Sequence, residues 1–265
     1  MRHVPVEFLT DEQASAYGRF VGSPSRAELE RCFLLDDADR LQISKRRGEA
    51  NRLGFALQLG VVRVLGTFLT DLNDVPVVAV DYVADELKIT DRSCLRAYAA
   101  REKTRLEHEW EITRVYGFVE FASVEAELTR WIDDRAWTTG EGPKALFDGA
   151  VGWLRERLVL LPGVSVLARL VARVRDEVMQ RLWDVLAGML TARQARLLKA
   201  LLEVPAGARH ADLERLRKGI TTVSGKGMVA ALDRVAEVAG LGLGAVALDG
   251  VPQRRIVELA RWGMA

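Results

Sequence analysis

The sequence predicts an all-α protein made of consecutive small helical modules, and three features of the chain support this fold class. Apolar residues recur every three to four positions through most of the chain, which is the spacing of one face of a helix. Helix-capping patterns and turns that contain Gly or Pro separate these segments. Strand patterns are nearly absent, and residues 246–248 form the one segment that suggests a strand.

Residues 1–70 form the first predicted module, in which four helices are joined by short polar turns. A capping box at residues 10–13 begins the first helix, and Ser25 and Asp36 can cap the next two. The fourth helix carries residues 53–65, which are apolar on nearly every side. Such a helix must be buried all round, so we expect it to be the central helix of the module.

The polar side chains in and before this central helix need hydrogen-bonding partners. Gln58 and Arg63 interrupt its apolar surface, and Asn51 and Arg52 precede that surface. A buried polar group without a partner costs free energy. These side chains should therefore bond either to neighbouring residues or to something outside the protein, and both alternatives stay open for Gln58 and Arg63.

Residues 71–137 form the second predicted module, which has the layout of a helix-turn-helix. Its first helix is predicted at residues 77–87, its turn at 88–91 and its second helix at 92–100. Further helices are predicted at residues 101–116 and 124–137.

Residues 138–190 and 191–265 complete the predicted division of the chain. The former is a long helical hairpin, with one arm at residues 144–160 and a second arm that begins at Pro162 and reaches residue 190. The apolar stripe of the second arm could serve an internal core or a homodimer. The last part is a smaller helical unit, with helices predicted at residues 191–202, 210–218, 227–239 and 256–262.

The composition is typical of a soluble protein of the reducing cytoplasm. The chain has 38 Lys and Arg residues against 37 Asp and Glu residues, so its net charge alone says nothing about nucleic acid. Cys32 and Cys94 make no metal-binding pattern, and no apolar run is long enough to span a membrane. The histidines share no ligand spacing, and no nucleophile lies beside an evident base. We therefore expect no metal, no cofactor and no catalytic residue.

A first group of candidate DNA-binding residues lies at the start of the central helix and comprises Lys45, Arg46, Arg47, Asn51 and Arg52. The free backbone N–H groups of a helix N-terminus also favour an anion, so this group could clamp a phosphate. The alternative is a solvated turn whose cations pair with the nearby aspartates 36, 37 and 39.

A second group lies in the helix-turn-helix layout and just after it, and comprises Lys88, Thr90, Arg92, Ser93, Arg96, Arg101, Lys103, Thr104 and Arg105. Arginine can form paired hydrogen bonds with a guanine edge, while lysine and hydroxyl groups can hold phosphates. The alternative is an ordinary exposed helix, and the layout favours DNA.

The run NRLGFALQL at residues 51–59, followed by RVLG at 63–66 and LLPG at 160–163, resembles the N-terminal region of replicative transposases of the Tn-three class. Weaker matches extend the resemblance over nearly the whole chain. It implies sequence-specific binding of double-stranded DNA at the terminal inverted repeats of a transposon. It also implies no enzymatic activity here, because the catalytic triad of that family lies downstream in a ribonuclease-H-like domain.

Two points qualify this resemblance. Lys88 departs from the family pattern, because glycine is expected in the turn of the helix-turn-helix. A helical protein-interaction or scaffolding domain without specific DNA binding is the alternative function, since charged helical surfaces can also bind another protein.

Overall fold

The computed structural model describes residues 8–217, 219 and 224–264. These residues form α-helices and no β-strand, which confirms the all-α prediction. None of the described helices is long and apolar enough to cross a membrane. The helices are α1 (Asp11–Ala16), α2 (Arg26–Cys32), α3 (Asp37–Ser44), α4 (Glu49–Leu65), α5 (Val77–Glu86), α6 (Cys94–Ala99), α7 (Glu102–Val115), α8 (Phe121–Thr139), α9 (Pro143–Glu156), α10 (Val164–Gly188), α11 (Ala192–Leu202), α12 (Asp212–Arg217), α13 (Gly225–Gly240) and α14 (Gln253–Met264).

The chain divides into two compact units. The first contains the described residues up to Ala136 together with Glu141–Arg175, and the second contains Trp137–Gly140 and the described residues from Asp176 onward. Buried side chains from Leu29 to Ile112 form one hydrophobic cluster within the first unit. The finer division of the chain at residues 70, 137 and 190 stays a prediction.

Helix α4 is the centre of the first unit. Eleven of its 17 residues are buried, which confirms that a helix apolar on nearly every side is enclosed by its neighbours. Two glycines admit aromatic rings to its surface: a Cβ on Gly54 would lie 2.2 Å from the Tyr98 ring, and one on Gly60 would lie 2.1 Å from the Phe33 ring. Any larger residue at either position would collide with a buried ring.

Local hydrogen bonds fix where the first helices begin. Capping boxes precede α1, α2 and α3, with Thr10, Ser25 and Asp36 as the N-cap residues, as predicted. Helix α4 ends at Gly66, whose φ of 74° is the left-handed conformation that glycine adopts without strain.

The segment predicted as a helix-turn-helix, residues 77–100, contains α5 and α6, and α7 follows it. Lys88 follows α5 in the left-handed conformation, with a φ of 55°. The Ile89 N–H donates to the Ala84 carbonyl at 2.9 Å and the Lys88 N–H to the Asp85 carbonyl at 3.1 Å, which is a Schellman ending. The family pattern places glycine at position 88, and the reason is that glycine adopts this left-handed conformation without strain. The helix-turn-helix arrangement itself stays a prediction.

Helix α6 begins later than the predicted residue 92. The Asp91 carboxylate accepts hydrogen bonds from both the backbone N–H and the hydroxyl of Ser93, at 3.0 and 2.6 Å. This side-chain turn competes with the first turn of a helix, so the helix starts at Cys94.

The apolar stripe of α10 is buried by its own chain. Leu167, Val171, Val174, Val178 and Leu182 are each at most 1% exposed. These side chains are thus buried without a partner chain, and use of the stripe in a homodimer stays a prediction.

The second unit corrects one expectation. Residues 246–248 do not form a strand, because Gly242 turns the chain with a φ of 70° into the 3-10 helix Leu243–Ala245. The Val246 N–H then donates to the Leu243 carbonyl at 3.0 Å. Helix α12 covers most of the helix predicted at residues 210–218, whose last residue lies outside the described range.

Candidate nucleic-acid interface

The two groups of candidate residues meet around the N-terminal half of α4. Arg46, just before α4, pairs with Glu111 of α7. The Tyr98 ring of α6 lies on Gly54 of α4. Packing therefore brings residues 45–52 into the same part of the first unit as residues 92–105, although the two segments are far apart in the sequence.

A buried hydrogen-bond network holds α6 and α7 against α4. Gln58 donates through Nε2 to the Glu109 carboxylate at 3.0 Å, so its Oε1 faces Tyr98 and accepts the Tyr98 hydroxyl at 2.8 Å. That bond uses the only hydroxyl proton of Tyr98. His108 Nδ1 lies 2.9 Å from the same hydroxyl oxygen and must therefore donate to it. Neutral His108 thus carries its proton on Nδ1.

Burial and, to a lesser extent, the Arg46 cation outweigh the opposite effect of Glu111 and lower the pKa of His108 from its ordinary 6.5 to about 4. The folded protein therefore holds this imidazole neutral at pH 7. Between pH 6.5 and 4 the unfolded chain binds more protons at this site than the folded chain does. The contribution of neutral His108 to stability is complete above pH 6.5 and is lost as the pH falls toward 4.

A second buried network joins α3, α4 and the end of α7. Arg63 donates two hydrogen bonds to the Asp39 carboxylate, each at 2.9 Å, and the Tyr116 hydroxyl donates a third at 2.9 Å. Burial alone would raise the pKa of Asp39, which is only 1% exposed. Hydrogen bonds from Arg63 and Tyr116 outweigh that effect and hold the pKa below its usual value. Gln58 and Arg63 thus both have internal partners.

Three of the candidate arginines are paired with carboxylates of the protein itself. The Arg46 side chain is 14% exposed and also lies 4.6 Å above the Phe55 ring. Arg92 pairs with two aspartates of α5, and Arg105 is 12% exposed beside Glu109. Because Arg46 pairs with a glutamate of α7, the acidic turn residues 36, 37 and 39 are not its partners. These pairs orient the elements that carry the remaining candidates.

Three further candidates form hydrogen bonds with residues close to them in the sequence. Lys45 donates through Nζ to Gln42 Oε1 at 2.8 Å, and Asn51 donates to the Arg47 carbonyl at 2.9 Å. Ser93 donates to Asp91, as described above. These bonds shape the turns on either side of the candidate surface.

The other charged candidates lie at the surface, where all are exposed except Arg52, which is half-buried. In the part of the chain that the structure describes, no carboxylate pairs with the cations of Arg47, Arg52, Lys88, Arg96 and Arg101. Lys103 is exposed and lies 3.9 Å from Glu107. Thr90 is exposed, and Thr104 is half-buried. A cation without a protein partner costs less to transfer onto a phosphate, so this set is suited to bind an anionic backbone.

Comparison with known proteins agrees with the resemblance seen in the sequence. The chain is 41% identical over 265 residues to the transposase for transposon gamma-delta of Escherichia coli (strain K12), a match that covers 99% of this chain and 26% of that protein. It is 27% identical over 260 residues to the transposase for transposon Tn1546 of Enterococcus faecium, covering 97% of this chain and 26% of the relative. The chain thus spans about a quarter of the length of these relatives.

The family model that matches this chain covers most of the first unit. It is described as "Domain of unknown function (DUF4158)" and matches residues 8–174, which include both candidate groups and both buried networks. The match extends over more than half of the chain. The chain therefore belongs to the DUF4158 family and is similar along nearly its whole length to part of several transposases.

Proposed function

We propose that this chain binds the terminal inverted-repeat DNA of a transposon in a sequence-specific manner and so serves DNA transposition. One observation carries the proposal: the match to the transposase for transposon gamma-delta covers 99% of this chain at 41% identity. The exposed cations around α4, α6 and α7 support it, because binding to DNA depends on neutralising phosphates. We further propose that it acts in the cytoplasm, on DNA of the nucleoid.

The candidate residues then divide into two roles. Six cations make the direct contacts with DNA, namely Arg47, Arg52, Lys88, Arg96, Arg101 and Lys103. The paired arginines hold the helices in position: Arg46 joins the start of α4 to α7, Arg92 joins the segment before α6 to α5, and Arg105 pairs with Glu109 within α7. Residues 1–70 and 71–137 each hold one segment of the repeat, and their linkage raises the effective concentration of the second contact.

We propose no catalytic step for this chain. It spans about a quarter of the transposases that it matches, and its resemblance to the Tn-three class implies that the catalytic acids lie downstream in a ribonuclease-H-like domain. Cleavage of a transposon-end duplex by the isolated chain with magnesium would contradict this assignment.

Fluorescence anisotropy with two duplexes tests the proposal. One duplex carries the gamma-delta terminal repeat, because the gamma-delta transposase is 41% identical to this chain, and the other has the same bases in scrambled order. Tighter binding of the repeat is expected. With about five neutralised phosphates, the affinity should fall on the order of 500-fold between 50 and 200 mM salt. Equal and feeble binding to both duplexes would refute specific recognition and favour a scaffolding role.

Two substitutions separate base reading from phosphate holding. Arg96→Ala should cost about 1–3 kcal/mol on the repeat and reduce the preference over scrambled DNA. Arg47→Ala should weaken both duplexes alike and reduce the salt slope by about 1. Arg26→Ala is the matched control, because this exposed arginine of α2 pairs with Glu30 of its own helix. It should leave both affinities unchanged.

A further inference from the structure

Helix α7 has one face in the core and another face in solvent. His108 and Ile112 are buried, while Arg105 and Glu109 are partly buried on the same side. With 3.6 residues per turn, Lys103, Trp110 and Arg114 lie on the opposite side. The Lys103 side chain is 91% exposed and Trp110 is 65% exposed. The long third helix of the proposed DNA-binding region therefore presents a large aromatic ring away from the core.

One cation lies over the ring of Trp110. The Arg114 guanidinium lies 4.8 Å from its ring centre, and among the described residues no carboxylate pairs with Arg114. Two acidic residues of α7, Glu109 and Glu111, are engaged by inward arginines. Of the other two acidic residues of α7, Glu102 is exposed in the first turn, and Glu107 lies beside the outer face, 3.9 Å from Lys103.

We infer that Lys103, Trp110 and Arg114 form a further DNA-contacting surface, in which the indole packs on a base or deoxyribose while the two cations hold phosphates on either side. This inference rests on the proposed function. An exposed tryptophan contributes nothing to the core of the free protein, whereas stacking against nucleic acid is a common use of such a ring. The cation–π contact with Trp110 also orients the guanidinium N–H donors of Arg114 before DNA binds.

The dimensions and the position of this surface favour DNA over a protein partner. Lys103 and Arg114 are separated by about 16 Å along the helix axis. Two long cationic side chains at that spacing can reach phosphates on both sides of a minor groove about 6 Å wide. The surface also follows Arg96 and Arg101 along the chain, so it extends the set of open cations already assigned to DNA.

Three variants test the surface with the gamma-delta repeat duplex as the probe. Trp110→Ala should weaken binding by about 5- to 150-fold, as for loss of one base-stacking aromatic ring, and Trp110→Phe should retain much of the affinity. Glu107→Gln should tighten binding by about 2- to 5-fold, because it removes a repelling charge and frees Lys103. Trp183→Ala, which removes another exposed tryptophan, should leave the affinity unchanged.

A direct readout accompanies the affinities. In protein labelled with 5-fluorotryptophan, the fluorine signal that disappears in Trp110→Phe should shift when the duplex is added. Circular dichroism of the free variants should match that of the wild type, because Trp110 is outside the core.

The outcomes separate this inference from the proposed function. If the wild type binds neither duplex, the proposed function fails, and this inference fails with it. If the wild type prefers the repeat while Trp110→Ala and Glu107→Gln bind like the wild type, only the α7 surface is refuted. Loss of self-association in Trp110→Ala, with DNA binding intact, would likewise overturn it and make the surface a protein-docking site.

Discussion

Substitution of Gly54 by alanine gives a sharp test of how α6 is held against α4. The added Cβ would lie 2.2 Å from the Tyr98 ring, whereas ordinary contacts begin near 3.4 Å. The ring would have to move by more than 1 Å. It is fully buried and bonded at its hydroxyl to Gln58 and His108, so that movement would strain both hydrogen bonds.

The expected cost follows from these contacts. Overpacking a core costs about 1–3 kcal/mol, and losing the two hydrogen bonds costs about 1 kcal/mol each. Alanine recovers about 1 kcal/mol through its higher helix propensity. Gly54→Ala should therefore reduce the free energy of unfolding by about 2–4 kcal/mol.

The assay is urea unfolding followed by circular dichroism, combined with hydrogen exchange of peptides from α4 and α6. Gly152→Ala is the matched control, since Gly152 lies within α9 and a Cβ there meets nothing within 4 Å. It should stabilise the protein by up to about 1 kcal/mol. In a Tyr98→Ala background, Gly54→Ala should become neutral or stabilising. A Gly54→Ala protein as stable as Gly152→Ala would refute the reasoning.

Three further predictions concern buried or strained groups of the first unit. As the pH falls from 6.5 toward 4, urea unfolding should show a loss of stability of up to about 1.4 kcal/mol per pH unit. His108→Asn, which retains an N–H donor, should flatten this profile above pH 5, and an unchanged profile would count against the assignment. Arg63→Met leaves the Asp39 carboxylate buried without its cation and should reduce the free energy of unfolding, measured in urea, by about 3–5 kcal/mol. Adding Asp39→Asn should restore part of this stability. A double variant no more stable than Arg63→Met would argue against charge burial as the cause. Lys88→Gly should raise the free energy of unfolding by about 0.5–1 kcal/mol, because glycine adopts the left-handed conformation without strain; a less stable variant would show that the lysine side chain matters more than the backbone.

The features of the fold that could be predicted from the sequence are those set by neighbours in the chain. The capping boxes depend on residues three positions apart, and their N-caps, Thr10, Ser25 and Asp36, lie where predicted. Burial of α4 followed from its own composition. The shorter α6 was missed, because the bond from Ser93 to Asp91 competes with the helix at a single residue.

The partners of the charged candidates could not be predicted in the same way. Glu111, which pairs with Arg46, is 65 positions away in the sequence, and Asp39 is 24 positions from Arg63. No local pattern determines which carboxylate an arginine meets at such separations. The sequence did carry a signal that Gln58 and Arg63 need partners, because polar residues on an otherwise apolar helix must be satisfied.

These contacts explain why residues 53–59 of the most specific motif position other helices in our proposal, whereas Arg52 at the start of the motif contacts DNA. Within residues 51–59, Gly54 receives the Tyr98 ring and Gln58 bonds to the Tyr98 hydroxyl. Phe55 of the same motif lies under Arg46 and beside His108 at 5.2 Å. The motif thus fixes the positions of α6 and α7 against α4, while the exposed cations on those helices face the solvent. It follows that substitutions within the buried motif should change DNA binding together with folding, whereas substitutions of Arg96 should change DNA binding alone.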